Sequence, residues 1–128
     1  MSHQIKYYKV CRIVNLRYWS CVTGSVHAVE YLLNEEVKPK NPEWPLLVFS
    51  DLMSADSFLG KLVIWRFLNH SFKVFECDVT NPRPIKWIPE TTSFGVLWEN
   101  IFNGCFSGCV KAPENTVAVD SVKLIKEI

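Results

Sequence analysis

Apolar and polar residues alternate along residues 6–14 (KYYKVCRIV), with Tyr8, Val10, Arg12 and Val14 on one side and Tyr7, Lys9, Cys11 and Ile13 on the other. A period of two predicts a strand. Asn15-Leu16 turns the chain into a second β-rich run, 17–23 (RYWSCVT), which ends at Thr23-Gly24-Ser25, so the two runs predict a hairpin. Segment 26–33 carries a mixed signal: Val26, Val29 and Leu33 fit a helical stripe, while Val26, Ala28 and Glu30 make a poor strand face. Pro39, Pro42 and Pro45 each remove a backbone donor and push the preceding residue towards extended geometry, which makes 37–45 a loop.

Residues 46–49 predict a short apolar strand. Ser50 then reads as a helix N-cap with Asp51 giving an acidic first turn, and Leu52, Ala55, Leu59 and Leu62 recur at three- and four-residue steps to about Arg66. Asn69-His70-Ser71 breaks this main helix, and 72–79 (FKVFECDV) alternates again as a strand. Segment 81–89 holds three more prolines. Thr92 or Ser93 caps a short helix through Ile101, Asn103-Gly104 and Ser107-Gly108 are turns, and 117–128 is a closing β-rich stretch. Strands outnumber helices without regular βα alternation. The class predicted is α+β: a mostly antiparallel or mixed sheet with one main helix and one short helix, in a single domain over 1–128.

Composition agrees with a packed domain. Hydrophobic residues make up 48% and charged residues 21% of the 128, a globular balance far from that of disordered chains. A net charge of +1 gives no bulk field to hold nucleic acid or an anionic membrane. No apolar run reaches the length of a membrane span and the first ten residues lack a signal-peptide core, so the expected location is the cytoplasm. There the five cysteines (Cys11, Cys21, Cys77, Cys105, Cys109) are expected as reduced thiols, and their odd number argues against a complete disulfide framework.

Candidate chemistry is sparse. Cys105 and Cys109 offer half of a zinc site, but no second close Cys/His pair occurs, so no metal is expected. His3, His27 and His70 are scattered, no glycine pattern matches a phosphate-binding loop, and no catalytic set or cofactor site is assigned. Lys6, Tyr7, Tyr8, Lys9, Arg12, Arg17, Tyr18 and Trp19 combine the ingredients of a single-stranded nucleic-acid surface, yet two paired strands divide such residues between opposite faces. Trp44 and Trp87 sit among prolines (Pro42, Pro45; Pro84, Pro89) and are candidates for protein contact.

Three stretches, YYKVCR, PLLVFSDLMSADSF and APENTVAVDSVKLI, together cover about half of the chain. Their order resembles small proteins of phages and mobile elements that open on a Tyr-Lys-Val strand, pass through a Val-Phe strand into a helix and close on a P-x-x-T-V strand. The resemblance implies a viral, phage or mobile-element origin and no particular activity. More distantly, the order is similar to the ADP-ribosyltransferase scaffold, which implies an NAD or nucleotide cleft with Arg12 on the phosphate and Ser50 bracing the strand beneath it. This chain departs from that pattern: Asp51 and Leu52 follow Ser50 where the family has Thr and Ser, and the late acid would be Glu114, beside Pro113. The leading expectation is thus a non-enzymatic accessory domain that binds an unidentified protein partner, with an ADP-ribosyltransferase-like protein and a single-strand binder as alternatives.

Overall fold

The computed structural model describes residues 6–20, 29–40, 45–65, 71–89 and 109–128. Strand β1 (Tyr7–Val14) turns at Asn15 and Leu16 into β2 (Arg17–Ser20), with Val14 opposite Arg17 and Cys11 opposite Ser20. Asn15 and Leu16 have φ of 52° and 65°, the left-handed pair of a two-residue type I′ turn, whose twist matches that of the paired strands. Asparagine adopts this backbone readily, whereas leucine does so against the clash of its Cβ with the following carbonyl. Because Leu16 is 93% exposed, no burial offsets that clash. Leu16→Gly is expected to raise the unfolding free energy by roughly 0.5–1 kcal/mol, the relief of strain less the added freedom of the unfolded glycine. Paired urea melts measure it, and a loss of stability would show that the Leu16 side chain packs.

Strand β3 (Glu30–Tyr31) continues the sheet beyond β2, with Tyr18 opposite Tyr31. Strand β4 (Glu36–Val37) follows, then β5 (Leu46–Phe49), helix α1 (Leu52–Trp65) and β6 (Ser71–Thr80). β5 and β6 flank β1 and are both antiparallel to it, so β5-α1-β6 is a parallel crossover with β1 between its strands. Two short strands, β7 (Arg83–Pro84) and β8 (Trp87–Pro89), occupy the proline-rich segment. β8 pairs with β9 (Cys109–Lys111) in a separate two-stranded sheet. Pro84 is tolerated because β7 is an edge strand, where a missing donor breaks no ladder.

The closing stretch is two strands, β10 (Thr116–Val119) and β11 (Ser121–Glu127), bent apart at Asp120. β11 pairs with β6 and β10 pairs with β7, and the register carries across the bend: Thr80 faces Ser121, then Arg83 faces Ala118. The pair is one long antiparallel ribbon folded at Asn81 and Asp120. The Asp120 N–H donates to the Thr80 carbonyl at 3.0 Å, and its carboxylate accepts from Asn81 Nδ2 at 3.0 Å and from Arg83 at 2.7 Å. Asn81 makes the bend possible by taking φ 49°.

The fold leaves one half of the ribbon beside β6 and lays the other half against β5, where Val119 faces Leu46 and Thr116 faces Phe49. The strands β6-β1-β5-β10 therefore return to their start through the Asp120 corner. A second closure runs from β3 to β11 through a bridge between Leu33 and Leu124. Inside this curled sheet lies the main core, in which Cys11, Tyr31, Phe75, Val119, Val122 and Leu124 are almost wholly buried. Helix α1 covers the outer face of β1, β5 and β6, packing Ala55 and the Phe58 ring against Val10, Phe49 and Val74.

The expected class is met in its coarse form, a mostly antiparallel sheet with one helix; among the described residues every pairing between named strands is antiparallel, and the isolated Leu33–Leu124 bridge is parallel. The expected short helix at 93–101 lies outside the described residues. The mixed segment 26–33 contains β3, and its first three residues also lie outside. Val37, read as loop, belongs to β4 and faces Val122. The helix cap is also one residue later than read. Asp51 accepts the Ser54 N–H at 2.9 Å, the bond an N-cap side chain makes to the third helical residue, so the first turn itself contains no acid. Hydrogen bonds from Ser54 hold the Asp51 carboxyl below its ordinary pKa.

Candidate functional site

Cross-strand register gathers three large side chains at the far end of the helix-bearing face. Arg12 on β1 faces Phe72 on β6 and Trp19 on β2. All three are half-buried, and two residues further along β1 the hairpin closes at the exposed Leu16. Alternation along β1 explains the placement, since Arg12 shares a face with Val10, which packs under α1.

A charge on this face of β1 would be met most simply at a sheet edge or by pairing with Glu76 or Asp78. Instead β1 is an inner strand, Asp78 lies six residues along β6 from Phe72, the residue opposite Arg12, and other nearby acids are engaged by other cations. Glu76 lies 3.0 Å from Lys6 and 3.9 Å from Lys126, Glu127 lies 2.7 Å from Lys73, and Glu30 lies 3.8 Å from Arg17. Arg12 Nε is withdrawn from solvent with no hydrogen-bond partner among the described residues. A shielded guanidinium N–H without an acceptor is costly, and an incoming acceptor removes that cost.

Ser50 lies at the opposite end of the same face. Its N–H donates to the Asn115 carbonyl at 3.0 Å and its hydroxyl reaches the same oxygen at 3.5 Å. Ser50 follows Phe49, which faces Tyr8, and Tyr8 is four residues or about 13 Å along the strand from Arg12. The cluster of Val10, Ala55 and Val74 fills the space between. Arg12 and Ser50 therefore do not converge. Glu114 sits in the turn leading to Asn115, at the Ser50 end. Trp87 is half-buried on β8, opposite Lys111, and Trp44 lies outside the described residues.

A shallow cavity of about 60 Å³ opens between β1, β5 and β8, lined by Lys9, Leu47, Phe58, Ile88, Pro113 and Thr116. Small-molecule pockets begin near roughly 300 Å³, so this one is too small for a nucleotide. Lys9 is only 5% exposed; its Nζ donates to the Leu47 carbonyl at 2.7 Å and lies 5.3 Å over the Tyr31 ring. β1 and β5 pair at Tyr8 and Phe49 and then diverge, and the ammonium ties the separating strands together. Burial raises the Tyr31 phenol above its ordinary pKa, with the Lys9 charge pulling the other way.

Cys11 and Cys77 are free thiols in the core. Cys77 faces Tyr7, four residues from Cys11 and so about 13 Å along the strand, whereas a disulfide needs Cα atoms within about 7 Å. Burial pushes the Cys77 thiol up to about 12. Because only the thiolate reacts, a disulfide-exchange reagent at pH ~8 is expected to leave Cys77 unlabelled in the folded protein and to label it on denaturation. Prompt labelling of native Cys77, read by peptide mass mapping, would contradict the packing. Cys21 and Cys105 lie outside the described residues. Among the described residues no three His, Cys, Asp or Glu side chains cluster as metal ligands, and no helix is long and apolar enough to cross a membrane.

No family model matches the chain, and no curated protein or solved structure matches it either. The geometry alone distinguishes the hairpin end. Sequence reading singled out Arg12 and Trp19 but not Leu16, although leucine in an Asn-x turn position that favours glycine was a visible signal. Phe72 could be joined to them only once the register was known.

Proposed function

We propose that this protein is a non-enzymatic accessory module that binds another protein through the distal end of its β1–β2 hairpin. The supporting observation is Leu16, an apolar side chain 93% exposed on left-handed backbone. Its backbone strain disfavours the isolated fold, and strain of this kind persists where a role beyond folding retains it. Behind it stand Arg12 and Trp19, residue types that dominate binding energy at protein interfaces. A role within a virus, phage or mobile element rests on the resemblance of the three sequence stretches.

Photo-cross-linking tests the reading. A benzophenone amino acid placed at position 16 of the full chain is expected to give one discrete protein adduct in cytosol, weakened by Trp19→Ala. The same group at Met53, which is 79% exposed on α1, is expected to give none. Indistinguishable adducts from the two positions would overturn the assignment of the surface.

A further inference from the structure

Resting on that reading, we infer that Arg12 binds a carboxylate supplied by an acidic, leucine-containing segment of the partner. Charge complementarity selects a carboxylate. Arg12 places its guanidinium on an inner strand, its Nε is shielded without an acceptor among the described residues, Glu76, Glu30 and Glu127 are held by Lys6, Lys126, Arg17 and Lys73, and Asp78 lies six residues along β6 from the residue opposite Arg12. The guanidinium fork matches a planar carboxylate with two parallel hydrogen bonds. Phe72 and Trp19 on its two strand neighbours keep its surroundings apolar, which strengthens a charged bond by excluding water. Leu16, about 10 Å away along the hairpin, adds an apolar contact, so the matching segment carries an acid and an apolar side chain about three extended residues apart.

A nucleic-acid phosphate would satisfy the same fork, but phosphate backbones are held by several unneutralised cations together. Here Arg17 lies 3.8 Å from Glu30 and Lys73 lies 2.7 Å from Glu127, so among the described residues these two cations are already paired with acids. A protein carboxylate is the better fit.

The test uses the full chain and three fluorescent probes: a short peptide with Glu and Leu spaced by Ser and Gly, the same peptide with Gln for Glu, and a thymidine oligonucleotide. The Glu peptide is expected to bind at least about tenfold more tightly than the Gln peptide, the ratio that a charge-assisted bond gives. Arg12→Gln is expected to erase the difference, and Arg12→Lys to retain part of it by keeping charge without the fork. Titration with the Glu peptide is expected to shift the Arg12 Nε–H resonance. Thermal midpoints check that each variant is folded. Equal affinity for the two peptides, no saturable binding of the Glu peptide below about 1 mM, an Nε–H that does not move, or a preference for the oligonucleotide would each overturn the inference. Position 16 cross-linking that singles out one partner while Arg12→Gln leaves the Glu peptide's affinity unchanged would keep the contact surface and remove its carboxylate chemistry.

Discussion

Phe75→Ala is expected to lower the unfolding free energy by about 3–5 kcal/mol, the usual range for truncating a buried aromatic ring. Phe75 is 1% exposed at the middle of β6, faces Lys9 across β1, and holds its ring 4.8 Å from that of Tyr18 on β2. It thus touches the interior that both closures of the sheet enclose, and neither strand can collapse into the vacancy without giving up its ladder. Equilibrium denaturation measures the loss. A change below about 1 kcal/mol would mean that the interior is loose and that the strands do not close around one core.

Lys9→Met is expected to cost about 1–3 kcal/mol although it keeps nearly the volume of the side chain and removes a charge from an apolar interior. The reason is asymmetry: methionine leaves the Leu47 carbonyl without the 2.7 Å donor it has now and takes a cation from over the Tyr31 ring. A buried acceptor stripped of its donor costs its full desolvation, whereas replacing both partners would not. Lys9→Ala, which also opens a void beside the existing cavity, is expected to cost more than Lys9→Met. If Lys9→Met instead stabilised the fold, the ammonium would not be tying β1 to β5.

The elements that the sequence announces most clearly are those whose signal is local. Alternation in 6–14 places Val10 and Arg12 on one face and Cys11 in the core, and the Asn15-Leu16 break marks the hairpin turn. The three- and four-residue spacing of Leu52, Ala55 and Leu59 marks α1. What stays hidden depends on partners distant in sequence. The corner at Asp120 interrupts a run, TVAVDSVKL, that reads as one strand, because the bend is imposed by Asn81 and Arg83 on the opposite strand of the ribbon. Glu76 and Arg12 share a face, but only the register shows that Glu76 is opposite Tyr8 and engaged by Lys6, leaving Arg12 opposite Phe72. For the same reason Arg12 and Trp19 are visible as types, and the row they form with Phe72 is not.

Backbone hydrogen exchange tests the central claim most directly. A protein retained by the full chain immobilised through its C terminus, a capture that presumes nothing about the hairpin, is added back to the free chain and exchange is compared with and without it. New protection is expected to centre on Arg12 to Trp19 and on Phe72, with β8 and Trp87 unchanged. Protection confined to β8 and β9, with the hairpin exchanging as in the free chain, would contradict it.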